Sequence, residues 1–253
     1  MSPIGVGAVV FGCTLAGALL GIFFSTRLPA GHFDTDSRDV VKLVMGLIAT
    51  MAALVLGLLI SSAHSAYEAQ EAELQQLGTQ LYQIDRILFH LGPDANEARA
   101  SLRRIVAADI ARTWSNDHPG AASFAPAQER NEAENLFERI ASLSPTTNFG
   151  RFGQSRALQL LASVGETRRL LTEQARTPLS WVFLAVLVSW LTLLFFGFGL
   201  FARFNATVVI SLIAGALSVA AALFLILDMD QPYSGWMQIS SAPLRDALKQ
   251  MDE

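Results

Sequence analysis

Hydrophobic and polar positions fall into blocks long enough to name elements. Ile4 to Phe24 is apolar throughout, Ser25 to Asp39 is polar, and Val40 to Ile60 is apolar again. From Glu68 onward the pattern changes: Leu74, Leu77, Leu81, Ile84, Leu88 and Leu91 recur at alternating steps of three and four among charged residues. An unbroken apolar block of about 20 residues matches a membrane crossing, whereas a three-four repeat makes a seam along which one helix packs lengthwise on another. Proline is absent between Val40 and Leu91, and Gly46, Gly57 and Gly78 are isolated, so the two patterns belong to one continuous helix. Gly92-Pro93 ends it.

The same reading places helices over Ala95 to Trp114, with Leu102, Ile105, Val106 and Ile110 on one face, over Ala127 to Leu143, and from near Phe152 to Arg176. In the last of these, Leu158, Leu161, Gly165 and Arg168 share a stripe. Leu179 to Leu200 and Thr207 to Leu227 are two further apolar blocks separated by a short connector, which predicts a tight antiparallel pair. Asp36 or Ser37 is a candidate N-cap for the second span. After Asp228, Tyr233 and Trp236 suit a headgroup layer, and Leu244 to Met251 forms a short amphipathic end. The expected architecture is an all-α membrane protein: four transmembrane helices in two hairpins, with a helical soluble domain between the second and third spans. Its segments are a first hairpin at 1–62, a stalk and soluble domain at 63–177, a second hairpin at 178–228 and a C-terminal tail at 229–253.

Composition agrees with a membrane protein. Of 253 residues, 52% are hydrophobic and only 16% charged, and the net charge of −4 comes with scattered basic residues. A nucleic-acid partner is not expected. Cys13, the one cysteine, lies in an apolar run, which excludes an intrachain disulfide and a cysteine-based zinc site. The first apolar block lacks the basic residues that precede a signal peptide core and is read as a span; within it, Gly17 and Gly21 have the spacing that lets helices approach closely. Arg27, Arg38, Lys42 and Arg203 in the short connectors lean toward an inside location for those connectors.

Two stripes of small residues are the main candidates for function. The second span carries Gly46, Thr50, Ala53 and Gly57 on one line, and the fourth carries Ser211, Gly215 and Ser218. Such residues either line a pore, where they leave room and offer hydroxyl oxygens, or let two helix backbones pack closely. Acidic and basic side chains are missing from the middle of every span, which disfavours proton-coupled transport and suits a passive pore. Asp228 and Asp230 stand at the end of the fourth span, where symmetry would repeat them as a ring of charge at a pore mouth. His32, Asp34 and Asp36 are too few for a metal site, and His64, His90 and His118 read as structural or solvated. Neither catalytic motifs nor a cofactor-binding loop occur, so no enzyme activity and no cofactor are expected.

Arg27-Leu28-Pro29 with His32, Ser37 to Lys42 leading into Gly46 to Leu59, and Asp228-Met229-Asp230-Gln231-Pro232-Tyr233-Ser234-Gly235 resemble the bacterial bestrophin-like family of four-span membrane proteins. That resemblance implies a multi-pass protein of the bacterial inner membrane and an analogy with oligomeric anion channels. The second span lacks the run of phenylalanines that forms the bestrophin neck, so ion selectivity is left undetermined. The expected partners are membrane lipid, further copies of the same chain and inorganic ions. An ion channel is the leading function, and a non-conducting scaffold or sensor whose helical domain binds a partner is the alternative.

Overall fold

The structure is a computed structural model that describes residues 2–27, 35–114, 127–174, 181–202, 205–233 and 235–252. The elements are α1 (Pro3–Arg27), α2 (Thr35–Leu91), α3 (Asn96–Thr113), α4 (Ala127–Ala141), α5 (Asn148–Gln174), α6 (Trp181–Phe201), α7 (Ala206–Met229) and α8 (Ala242–Asp252). A 3-10 turn, Pro93–Ala95, joins α2 to α3. Among the described residues, four helices are long and apolar enough to cross a membrane: α1, α2, α6 and α7. Gly92 closes α2 with a φ of 90°, a conformation that a side chain would oppose. Asn205 caps α7 by accepting a hydrogen bond from the Val208 amide at 2.8 Å. Because α2 begins at Thr35, Asp36 and Ser37 lie inside the helix and neither is its N-cap.

The chain divides into two compact units, 1–66 with 178–230 and 67–177 with 231–253. In the first unit, α1 packs against α6 and α7. A side chain at Gly17 would meet the Thr192 carbonyl at 2.7 Å, one at Gly21 would meet Phe196 and Leu200, and one at Gly199 would meet Ala18. These helices touch backbone to backbone, the approach that glycine permits. Val10, Leu187, Leu191, Ala220 and Leu223 form the buried centre, with Ala52 and Ala63 of α2 at its edge.

In the second unit the leucine seam of α2 is closed by the protomer's own helices. Leu74, Leu77, Ile84 and Leu88 are at most 2% exposed and pack with Leu102 and Val106 of α3, Leu136 and Ile140 of α4, Leu160 and Val164 of α5, and Leu244 and Met251 of α8. The seam is therefore filled within one chain. The C-terminal residues also differ from the headgroup-facing expectation: Tyr233 is buried against Leu171 and Trp114, while α8 inserts its apolar face into the core and brings Pro243 onto Gly78. Trp236 alone of that group stays open, at 83% exposure. The reason is area, since an amphipathic helix gains by covering a ready apolar face.

Candidate pore-lining surface

The membrane half of α2 presents three faces. Met45, Ile48, Ala49, Ala52, Leu56 and Leu59 turn toward the core of the membrane unit. Leu43, Leu47, Leu54 and Leu58, 61–75% exposed, form a bulky open face. Between them, Gly46, Thr50, Ala53 and Gly57 form a narrow exposed stripe about a third of a turn from the packed face. At Gly46 and Gly57 an added side chain would meet nothing within 4 Å. Only 6% of the most apolar window of α2 is buried, against 44% for α1, so α2 is the span left most open by its own protomer.

The stripe of α7 is less open. Ser211 and Ser218 are exposed, but Gly215 is partly covered by the ring of Phe195, which stands 3.3 Å from where its side chain would be. The structure brings part of both stripes together: Gly46 with Ser211 and Gly215 lines a groove of about 690 Å³, which also includes Lys42, Thr207 and Phe198. Thr50, Ala53, Gly57 and Ser218 lie outside it. The hydroxyls of Thr50, Ser211 and Ser218 donate to the carbonyls of Leu47, Thr207 and Ala214 at 2.8, 2.9 and 2.9 Å. With the proton turned back to the helix, what faces outward is oxygen lone pairs.

Of the two carboxylates at the end of α7, Asp228 is 1% exposed, closed off within the protomer, and Asp230 is half-buried at the C-cap. His32 and Asp34 lie outside the described residues, as does His118, and the side chain of Asp36 is outside them too. His64 is exposed, and His90 is exposed with its ring against Phe89. Among the described residues no group of His, Cys, Asp and Glu could hold a metal ion.

Sequence reasoning missed two charged clusters in the helical unit. Asp85, fully buried beside the leucine seam, takes a two-point contact from Arg99 at 2.7 and 3.0 Å and a third contact from Arg103 at 3.4 Å. Arg99 also donates to the Met251 carbonyl and lies over the Phe89 ring, so one guanidinium ties α2, α3 and α8 together. Its hydrogen bond to Asp85 holds its proton more firmly than usual. A carboxylate beside an apolar seam, followed by arginines four residues apart, was the available signal. The second cluster is Asp109 with Arg168 and Arg112; burial lowers the Arg168 pKa to about 10. Tyr233 is shifted upward by burial and then by Glu73, and the neighbouring Trp114 donates to the Ile239 carbonyl at 2.8 Å.

Four apolar spans, with a helical unit between the second and third along the chain, define a helical membrane protein among the described residues. The Bestrophin-like domain profile matches residues 12–244, and the chain belongs to the bestrophin-like family. Two crystal structures of a bacterial bestrophin homologue from Klebsiella pneumoniae, each with a single substitution, have the same fold. One has a TM-score of 0.72 at 12% identity over 99% of this chain and 97% of that one; the other has 0.70 at 10% identity over 97% of each. No curated protein sequence matches the chain.

Proposed function

We propose that the protein is an oligomeric ion channel of the bacterial inner membrane, in which copies of α2 surround an axis and the stripe Gly46, Thr50, Ala53 and Gly57 faces the conduction path. The observation that carries this is the open stripe itself. Small residues bound to lipid alone gain little, and those that pack helices are covered, as Gly17 and Gly21 are. A stripe of small residues with one hydroxyl, left uncovered on the least buried span, supports a lumen made by several chains. The bestrophin-like membership and the matching fold support the same reading.

Cations are the cargo favoured by the hydroxyl geometry. Thr50, Ser211 and Ser218 offer lone pairs outward, which suit a partly dehydrated cation better than an anion. Asp230 at the span end adds to that preference, while the burial of Asp228 removes it from a mouth formed by a single protomer's surface.

Flux into liposomes holding the purified protein tests the reading, with potassium and chloride gradients compared and Thr50→Val in parallel. Potassium flux that falls in the variant supports a path along the stripe. Silence from folded oligomers would overturn the channel and leave a scaffold whose helical domain binds a partner.

A further inference from the structure

The helical unit holds a recess and a knob on opposite sides of one helix. The recess is about 370 Å³ of space among α2, α3, α4 and α5, walled by Leu102, Val106, Leu136, Leu161 and Val164. Its exposed edge is Glu134, Phe137 and Gly165, and a side chain at Gly165 would meet nothing within 4 Å. Close-packed interiors leave few voids larger than a water molecule, so a recess of this size is more than a packing fault. Arg168 on its wall is paired with Asp109, so the space asks for no added charge and is otherwise apolar. The knob is Phe149 and Phe152, 73% and 71% exposed, which share a face at the start of α5, a helix that is not one of the apolar spans. Exposed apolar surface gathered in one place marks a contact.

Charge and placement say what meets what. Exposed Arg151 and Arg156 flank the two rings, and α5 carries no acidic residue before Glu166. At the recess the exposed charges have the other sign: Glu134 on its edge and Glu166 beside Gly165. Between Gly165 and the two rings α5 turns by about 160–220°, so one protomer cannot bring its own knob to its own recess. Two copies meeting knob to knob would set the arginines of one against those of the other, which costs affinity. Opposite faces suit a head-to-tail contact, in which every copy uses both surfaces and a ring can close. We propose that Phe149 and Phe152 of one copy enter the recess between α4 and α5 of the next, ring against Phe137, with Arg151 and Arg156 facing Glu134 and Glu166. The inference rests on the oligomeric reading above and names a contact outside the spans that holds neighbouring copies together.

The test co-expresses two full-length chains with different tags, both carrying Cys13→Ser to remove the one native cysteine, one with Phe152→Cys and the other with Gly165→Cys. Both positions are exposed, so neither change disturbs the core. A short bismaleimide added to the oligomer in mild detergent should join the two tags, whereas differently tagged chains that both carry Phe152→Cys should stay separate. Arg151→Glu with Arg156→Glu should weaken association about tenfold or more on dilution, and adding Glu134→Arg and Glu166→Arg to the same chain should restore it. A monomeric wild type would overturn the oligomeric reading together with this contact. An oligomer whose two tags stay unjoined, or whose Phe152→Cys chains join each other, keeps that reading and overturns the contact, giving the two surfaces to lipid or to another protein. A quadruple variant that associates no better than the double overturns it as well.

Discussion

α1 and α2 carry small residues in nearly the same rhythm, yet their stripes have opposite fates. On α1, Thr14, Gly17, Ala18 and Gly21 are buried, with carbonyls of α6 lying where side chains would go. On α2, Gly46, Thr50, Ala53 and Gly57 are all exposed. Small size is thus a permission rather than an instruction: it allows a close neighbour, and the rest of the fold decides whether one arrives. Further along the chain, the same α2 helix buries its seam from Leu74 to Leu88. A single helix therefore has one stretch whose seam its own chain closes and one whose stripe of small residues its own chain leaves open.

The largest effect expected on this contrast is at the closed stretch. Asp85→Ala leaves Arg99 without its buried carboxylate and should cost about 3–5 kcal/mol. A thermal melt should show a fall on the order of 10 °C; a fall of a degree or two would mean that this part of α2 is held far more loosely than its burial implies.

Next in size is a single methyl group at the packed stripe. Gly21→Ala puts a carbon against the Phe196 carbonyl, and relief of that overlap should cost about 1–3 kcal/mol. Folded yield and melting temperature in one detergent would measure it. An unaffected Gly21→Ala would break the contrast, because α1 would then be no more committed than α2.

Function is tested on the open stripe. Thr50→Val keeps the shape and removes the oxygen, and potassium flux should fall about fivefold, the worth of one hydrogen bond, with no change in melting temperature. Unchanged flux would move the conduction path away from this face. The smallest effect has the opposite sign: Gly57→Ala meets no atom and should stabilise the helix by about 0.5–1 kcal/mol, raising the melt by about 2 °C. The same glycine-to-alanine change would then stabilise one span and destabilise another.

Much of the fold was legible because it is local. The ends of α1, α6 and α7 follow hydropathy, and Gly92-Pro93 stops α2 as read. α5 starts earlier than expected, at Asn148, because Ser144-Pro145 breaks the chain several residues before the first periodic leucine and the turn between them favours helix entry. The candidate site was only half legible. Both stripes could be found by spacing, but nothing in Gly46 or Gly17 says which one will be covered. Arg168 could be placed on a stripe with Leu161 and Gly165, yet its pairing with Asp109 joins residues far apart in the chain.

Spans, breaks and the seam of α2 were determined by the sequence itself, since each depends on a few adjacent residues and on the solvent they prefer. Tertiary structure alone decided that the seam is filled by α3, α4, α5 and α8 of the same chain, that Tyr233 turns inward, and that the small stripe of α2 stays open. The physical reason is that a helix face records only what it can touch, and which surface reaches it first is settled by the packing of the whole chain.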